Sequence, residues 1–363
     1  NNIEKANIMK ESIKKLPITV PEIKTYPAET YLMSVLPQNS ASKNWIFSNY
    51  INLYGYITPE HWIYQAYTLD DFRLTCPLIE ISRFTSDTFI TQKWGNIYSF
   101  FKDCIDAGYY IIPQYEQFYC PLSSNFQVGH RIHDMIIYGY NDSVKSFYIG
   151  DFFDMRGFLF KELSFELTDK CIQYVPKEKF RIDIFKSRDS YCYNFNLNFV
   201  IKTLREYLLS IHTVEPYEER MLTVEEKLRF SLNGYTYGIK NYDLLNSAIL
   251  YAIENRAFLS KEKVISGIVS RLRRSAHVMY CHKALMLDRL NYLKDNHFIL
   301  KSYPEYKELR NQCLINRNLI MKNSRPLNSE AFQKILESYS SIKKEEVSIL
   351  EDVLNELSQN FDM

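Results

Sequence analysis

The chain has 363 residues, which is long enough for one large domain or two ordinary domains with a hydrophobic core. Its 44 basic and 43 acidic residues leave a net charge near zero, which argues against a nucleic-acid-binding protein that contacts many phosphates. The sequence has no stretch of about 18 apolar residues and no hydrophobic signal region, so we expect a cytoplasmic protein without membrane contact. Seven cysteines without paired spacing are typical of a reducing compartment.

The first half of the chain mixes predicted helices and strands. Residues 26–36 predict a short helix, because Pro27 suits its first turn, apolar residues follow at helical spacing and Pro37 ends it. A second helix is predicted over about 42–54, ended by Gly55. Runs rich in β-formers follow, and the last is expected to close a sheet: residues 79–84, 109–115, 133–140, 147–153 and 180–185.

Beyond about residue 197 the pattern becomes helical. The segment from Thr223 to Glu226 reads as a capping box, which predicts a helix start. The sequence contains no low-complexity linker, so we expect two domains, 1–185 and 186–363, that pack together, with the helical second domain shaping the cleft of the first. The long helical periodicities of this part cover residues 242–254, 261–295, 306–321 and 329–357.

A candidate catalytic pair lies in a predicted hairpin. The strands 133–140 and 147–153 flank the turn-forming cluster Asn-Asp-Ser at 141–143. A turn centred on Asp142 places His133 directly opposite Asp151, about 5 Å away, where a carboxylate can orient an imidazole. This pairing depends on the strand register, because a bulge would turn one of the two side chains to the other face.

The nucleophile that such a pair would serve is expected upstream. The first turn of the helix at 26–36 has free backbone N–H groups and a positive dipole end, which stabilise a thiolate or an oxyanion. Alanine occupies that place as Ala28, and Glu29 beside it is expected to be a solvated first-turn carboxylate. For the oxyanion, Thr25, another backbone amide and Gln38 are all open as donors.

Each candidate has an alternative interpretation. His133 alone would be an ordinary hydrogen-bonded histidine of a sheet face, and Asp154 could take the orienting role of Asp151. His130 is a competing base, although its position three residues before His133 places it off that face. His277, Cys281 and His282 stand at a spacing that suits metal ligands on a helix, but no second group accompanies them, so packing is favoured and no metal site is predicted.

At these residues the chain resembles a known family. The first-turn nucleophile position is followed about a hundred residues later by His-Asp-Met-Ile-Ile-Tyr-Gly-Tyr at 133–140 and Tyr-Ile-Gly-Asp-Phe-Phe at 148–153. This order is similar to the butirosin biosynthesis protein H family, which resembles C39 peptidases. The segments 237–243, Tyr-Gly-Ile-Lys-Asn-Tyr-Asp, and 280–289, Tyr-Cys-His-Lys-Ala-Leu-Met-Leu-Asp-Arg, also look like family sequence. The resemblance therefore covers most of the chain.

The resemblance implies an α+β, papain-like fold with an additional C-terminal helical domain. It also implies an amide-forming acyltransferase of thiotemplated natural-product biosynthesis, with a Cys-His-Asp triad at positions 28, 133 and 151. The acyl donor would be a thioamide-containing chain, as in closthioamide assembly, held on the phosphopantetheinyl arm of an acyl or peptidyl carrier protein. The acceptor would be a small diamine, and no separate cofactor, nucleic acid or membrane partner is implied.

Ala28 departs from the family pattern, which has cysteine there. Either alanine replaces a nucleophilic cysteine, which makes this form of the enzyme inactive, or the protein is a natural relative without catalysis. Two other classes therefore remain open, namely a C39-like cysteine protease or hydrolase with the same triad, and a non-catalytic binding module. The sequence does not indicate the oligomeric state.

Overall fold

Helices and antiparallel strands both contribute to the fold, so the α+β class is confirmed. The computed structural model describes residues 13–68, 76–154, 157–188, 190–213, 234–255, 264–323 and 327–360. The described strands are β1 Ile13–Lys15, β2 Leu53–Ile57, β3 Ile63–Tyr67, β4 Ile79–Phe84, β5 Tyr110–Glu116, β6 Ile132–Asp134, β7 Ile136–Asn141, β8 Ser146–Asp154, β9 Gly157–Ser164, β10 Ile182–Ser187 and β11 Thr236–Tyr237. The described helices are α1 Pro27–Val35, α2 Ser40–Asn49, α3 Thr88–Trp94, α4 Ile97–Asp106, α5 Phe165–Gln173, α6 Leu197–Leu209, α7 Asn241–Glu254, α8 Val264–Asp295, α9 Glu305–Lys322 and α10 Ser329–Asn360.

The chain forms two compact units that are not continuous in sequence. The first comprises residues 1–37 and 73–192, and the second comprises 38–72 and 193–363. This differs from the predicted division into 1–185 and 186–363, because 38–72 groups with the C-terminal residues. The physical reason is strand pairing: β2 pairs with β3 on one side and with β11, far along the chain, on the other.

The first unit is built on an antiparallel sheet with the strand order β4, β10, β5, β7, β8, β9. The segment predicted to close the sheet forms β10, which lies between β4 and β5 rather than at an edge. Two short strands extend the sheet, since β1 pairs with β7 and β6 pairs with β5. The sheet thereby brings the residues around 115, 133 and 151 onto neighbouring strands.

Amphipathic helices supply the core beside this sheet. In α4, the buried residues Ile97, Phe100, Phe101, Cys104 and Ile105 recur at helical spacing, so one face of the helix is apolar. This face joins a cluster that includes buried apolar residues of β5, β7 and β8. Each phenylalanine removed from water contributes about 1.5–3 kcal/mol, so burial of this face holds the helix on the sheet.

The hairpin between β7 and β8 has a different register from the predicted one. Tyr140 pairs with Phe147, and the register shifts between Ile137 and Gly139, so that Ile136 pairs with Gly150. At Gly139 a Cβ would collide with the carbonyl oxygen of Lys14, so glycine allows β1 to pair closely here. The predicted strand 133–140 is therefore two strands, and β6 pairs with β5 instead of continuing along β8.

The second unit joins a three-stranded sheet to long helices. The helix predicted over 42–54 ends at Asn49, and Gly55 lies inside β2 opposite Gln65. Glycine is needed here because a Cβ at position 55 would lie 2.6 Å from Oδ1 of Asn241 and 2.8 Å from the carbonyl oxygen of Tyr64. The four predicted C-terminal helices appear as α7, α8, α9 and α10, whereas the capping box at 223–226 and residues 261–263 lie outside the described residues.

Within the described ranges, we find no helix with both the length and the apolar character needed to cross a membrane. The long helices α8 and α10 instead carry a mixture of buried apolar and exposed polar positions. In α10 the buried residues include Phe332, Ile335, Tyr339 and Ile342, spaced three or four apart. This spacing is that of helices which pack one face on a core.

Candidate functional site

Helix α1 presents position 28 in its first turn. Pro27 begins the helix, and the residue before it, Tyr26, has an extended backbone and no side-chain cap. Proline suits this place because its ring presets a helical φ and it lacks an N–H that would stay unpaired. Ala28 is half-buried, so the position is neither sealed in the core nor fully in water. The sequence predicted this helix start, and it is confirmed.

One turn further along, Tyr31 connects this helix to Asp151. Its side chain is fully buried, and its hydroxyl lies 2.7 Å from Oδ1 of Asp151 and 2.8 Å from the carbonyl oxygen of Asp134. Residues three apart on a helix lie on one face, about 5–6 Å apart at Cβ. The face of α1 that carries Ala28 therefore also carries Tyr31, the residue that contacts Asp151.

Asp151 is a completely buried carboxylate with a full set of hydrogen-bond donors. Oδ1 accepts from the Tyr31 hydroxyl and from the backbone N–H of Phe152, the latter at 2.6 Å. Oδ2 accepts from the Tyr115 hydroxyl at 2.6 Å and faces Nδ1 of His133 at 3.1 Å. A buried carboxylate is tolerated when it is paired and hydrogen-bonded in this manner, because water cannot solvate it.

The two tyrosines keep their protons. Burial is the main cause that raises the pKa of Tyr31 and of Tyr115 well above 10, and the charge of Asp151 raises both further. Neither hydroxyl ionises near neutral pH, so both act as donors toward the carboxylate. The sequence did not assign a site role to either tyrosine. Tyr115 was missed because β5 pairs with β6 in a way that hairpin rules do not predict, and Tyr31 because helical spacing marks it only as an apolar position of α1.

His133 is held in one tautomer. Its Nδ1 lies 2.9 Å from the carbonyl oxygen of Asp134 and 3.1 Å from Oδ2 of Asp151, and both of these atoms are acceptors. Nδ1 must therefore carry the proton, which leaves a lone pair on Nε2 in the neutral ring. The side chain is 16% exposed, so the ring is held but not sealed. This is the tautomer in which a triad histidine accepts a proton.

The pKa of His133 reflects two opposing causes. Burial is the largest and lowers the pKa, but the charge of Asp151 and the hydrogen bond to it outweigh burial, so the net shift is upward from 6.5. The carboxylate thus favours the imidazolium form. A base whose protonated form is stabilised by a fixed charge can take a proton from a thiol and retain it.

The predicted contact between His133 and Asp151 is confirmed, but the predicted reason is wrong. Direct opposition across the hairpin does not occur, because the turn pairs Asn141 with Ser146 instead of being centred on Asp142. In addition, His133 belongs to β6, opposite Tyr115 of β5. The two side chains meet near Met135, the residue between the end of β6 and the start of β7. His133 makes its carboxylate contact with Asp151, not with the alternative Asp154.

The competing base is located elsewhere. His130 stacks on Phe118 with ring centroids 4.3 Å apart, and its side chain is 66% exposed. Its nearest carboxylate is Glu116, with Nδ1 3.6 Å from Oε2, which is longer than a hydrogen bond. His130 therefore has no orienting carboxylate comparable to that of His133.

Two expectations at the helix start need correction. Glu29 is buried rather than solvated, and it accepts a hydrogen bond from the Thr25 hydroxyl. Burial follows from α1 as a whole, in which every residue from Glu29 to Val35 is buried. Because the Thr25 hydroxyl proton is directed to Glu29, Thr25 is a poor candidate for the oxyanion donor, and the backbone N–H groups of the first turn are better placed.

Other thiols and histidines do not form a comparable site in the described residues. A hydrogen bond between the thiols of Cys120 and Cys171 lowers the pKa of the Cys120 thiol, but both side chains are fully buried and unable to meet a substrate. His277 and Cys281 contact each other, with Nε2 to Sγ at 3.6 Å. No group of three or more residues suited to hold a metal ion occurs in the part of the chain that the structure describes.

A search against models of known protein families finds no match for this chain, and a search of curated proteins finds none either. The site therefore has to be interpreted from its own geometry and from the motifs of the sequence.

Proposed function

We propose that the first unit is the catalytic unit of a papain-like acyltransferase when cysteine occupies position 28. The observation that carries the proposal is the state of His133, whose Nδ1 proton faces buried Asp151. Its ring is partly exposed, and Nε2 has no hydrogen-bond partner among the residues that the structure describes. Tyr31 adds support, because it joins the helix that carries position 28 to the same carboxylate.

The first half-reaction forms an acyl-enzyme. Nε2 of His133 takes the thiol proton of the cysteine, and the thiolate attacks the carbonyl carbon of an acyl thioester. The tetrahedral oxyanion would be met by N–H groups at the start of α1, where the helix dipole also favours negative charge. The carrier thiolate leaves, takes the proton from His133, and the acyl group remains on the cysteine.

The second half-reaction transfers the acyl group to an amine. His133, again neutral, takes a proton from the amine nitrogen as that nitrogen attacks the thioester of the acyl-enzyme. The amide is released, and the proton returns to the cysteine sulfur. The family resemblance directs the proposal to a carrier-bound, thioamide-containing donor and a small diamine acceptor.

The test is the variant Ala28→Cys, offered an acyl thioester with and without a diamine. An acyltransferase should show a mass increase on the intact protein without amine, and this adduct should discharge into amide when the diamine is added. The Ala28 protein is the matched control and should show no adduct. Rapid release of free acid, unchanged by the amine, would assign water as the acceptor and a hydrolase as the function.

The protein with alanine at position 28 has its own expected behaviour. It lacks the nucleophile but retains His133 and Asp151, so it should bind an acyl thioester without cleaving it. If Ala28→Cys also forms no adduct with acyl thioesters, the acyltransferase and hydrolase proposals both fail, and a non-catalytic binding module becomes the better interpretation.

A further inference from the structure

Tyr31 is placed to act on the catalytic pair from the helix that carries position 28. Its single hydroxyl proton has two acceptors in reach, Oδ1 of Asp151 and the carbonyl oxygen of Asp134. The carbonyl oxygen of Asp134 is also the one that Nδ1 of His133 approaches. One phenol therefore contacts both of the groups that fix the imidazole.

Tyr115 acts on the other carboxylate oxygen. Its hydroxyl donates to Oδ2 of Asp151, the same atom that faces Nδ1 of His133. The Tyr115 ring stands edge-on to the imidazole at 89°, with ring centroids 6.2 Å apart. Tyr115 and His133 are thus two donors to one oxygen, and each weakens the hydrogen bond that the other forms with it.

We propose that Tyr31 and Tyr115 are positioning residues that hold Asp151 between α1 and β5, and that Tyr31 in addition aligns position 28 with His133. The inference rests on the proposed function for its catalytic consequence, whereas its effect on His133 does not require any activity. Neither tyrosine touches the reacting atoms; both act through the carboxylate.

A change in the donors should change the pKa of His133 in a defined direction. A hydrogen bond to the carboxylate spreads its charge, so loss of a donor makes Asp151 a stronger acceptor for Nδ1 and stabilises the imidazolium. Tyr31→Phe and Tyr115→Phe should therefore both raise the pKa of His133. Tyr115→Phe should raise it more, because Tyr115 shares Oδ2 with His133.

Other charged groups near the ring remain constant in this comparison. They are Asp134, which follows His133 in β6 and raises the pKa, and Arg131, which lowers it. Arg181 precedes β10 and forms an ion pair with Asp134 at 2.7 Å, which moderates the effect of Asp134. None of these groups is altered by the tyrosine variants, so the difference between variants reports the donors to Asp151.

The experiment is an NMR titration of the His133 ring in the Ala28 protein and in the two phenylalanine variants. Tyr140→Phe is the matched control, since Tyr140 is also a buried tyrosine whose hydroxyl donates to an aspartate, Asp106, at 2.7 Å near the turn end of β7. We expect a raised pKa in both test variants and the parental pKa in the control. An unchanged pKa in Tyr31→Phe and Tyr115→Phe would overturn the inference.

A second measurement covers the case in which a phenylalanine variant does not fold. Site-specific 3-fluorotyrosine at position 31 keeps the ring and makes the hydroxyl a stronger donor, so the pKa of His133 should fall. A pKa that stays at the parental value, or rises, contradicts the inference just as the phenylalanine variants would.

The catalytic part is tested in the Ala28→Cys background. Loss of one hydrogen bond to a charged group corresponds to about a tenfold change or more in rate, so Tyr31→Phe should lower acyl-enzyme formation by about that factor at saturating thioester. Tyr140→Phe should leave the rate unchanged. If Ala28→Cys forms no adduct at all, the proposed function fails, and the titration still decides whether the tyrosines position His133.

Discussion

Each compact unit contains one buried carboxylate surrounded by tyrosine hydroxyls and accompanied by a histidine. In the first unit it is Asp151 with His133, and in the second it is Glu346, which accepts from Tyr242 at 2.8 Å and lies near His282. Both carboxylates are fully buried. Because the residue types of the two centres are nearly the same, the comparison isolates the hydrogen-bonding state of the two histidines.

The two centres differ in whether a ring nitrogen of the histidine is left without a hydrogen-bond partner among the described residues. Nε2 of His282 donates to the carbonyl oxygen of Ile51 at 2.7 Å, and its Nδ1 accepts from Nζ of Lys283 at 2.9 Å. Lys283 forms a completely buried ion pair with Glu346. Both ring nitrogens of His282 therefore form hydrogen bonds. In the part of the chain that the structure describes, His133 forms them only through Nδ1, and its side chain is partly exposed. The proposed function therefore depends on Nε2 of His133 rather than on the presence of a carboxylate beside the ring.

The largest expected effect tests this assignment directly. In the Ala28→Cys protein, His133→Ala should reduce acyl transfer by on the order of 10⁴-fold or more, because a triad loses its base. Asp151→Asn should leave more activity than His133→Ala, since tautomer control contributes less than the base. Rates are measured by intact-protein mass spectrometry over time.

His282→Gln is the matched control for that experiment. It should leave the chemical step unaltered, although it can lower stability. If His282→Gln reduced the rate as much as His133→Ala in a folded protein, the division of roles between the two histidines would be wrong.

The next effect concerns stability in the second unit. Lys283→Met leaves Glu346 as a buried charge without its cation, and breaking such a pair costs about 3–5 kcal/mol. The free energy of unfolding from urea titrations should fall accordingly. Lys102→Met removes a surface ion pair whose side chains are 24% and 27% exposed, and it should cost less than about 1 kcal/mol.

The double variant Lys283→Met/Glu346→Leu sharpens this prediction. It removes both charges, so it should recover much of the stability lost by Lys283→Met alone. If Lys283→Met alone cost no more than Lys102→Met, the Glu346 centre would not be the buried ion pair that the geometry indicates.

A smaller effect concerns thiol reactivity at position 28. In Ala28→Cys the thiol would lie in the first turn of α1, where the helix dipole favours the thiolate, and the proposed function places it within reach of His133. At pH 6.5 its alkylation by iodoacetamide should be about tenfold faster than that of Cys192, the one exposed cysteine among those described. Equal rates at the two positions would argue against an activated nucleophile.

The smallest effect concerns how the contributions of His133 and His282 to stability depend on pH, because the two contributions have opposite signs. The folded pKa of His133 is raised above 6.5, so its contribution to stability is fully present below about pH 6.5 and is lost as pH rises through the folded pKa. For His282, burial and the charge of Lys283 hold the pKa well below 6.5. Below about pH 6.5, His282 is therefore protonated in the unfolded chain but stays neutral in the folded protein, so the free energy of unfolding falls as pH drops.

Urea midpoints at pH 5.5, 6.5 and 8 measure this difference. His133→Gln should remove stability mainly at the acidic end, whereas His282→Gln should make the protein less sensitive to acid. The same slope in both variants would show that the two histidines do not differ in the state of their rings.

Part of this site was predictable from local sequence. Pro27, the apolar spacing after it and Pro37 predict α1 because helix start and stop signals act within a few residues. His133 and Asp151 lie on either side of one turn, so the sequence predicts that they meet near the same end of the hairpin, although the face that each occupies depends on the register. The helices of the second unit were predictable for the same reason, since 3.6-residue periodicity is a local property.

Only the tertiary structure decided how these pieces make a site. The bulge at 137–139, the transfer of His133 to a strand paired with β5, and the meeting of Tyr31 with Asp151 each join residues that are distant in sequence. The same holds for residues 38–72, in which β2 pairs with β11, a strand that is distant in sequence. The sequence by itself determined the helix start at Pro27 and the presence of a histidine and a carboxylate around one turn. Strand pairing determined which residues contact this histidine and carboxylate, because the register of a strand is set by the burial of whole faces rather than by any single residue.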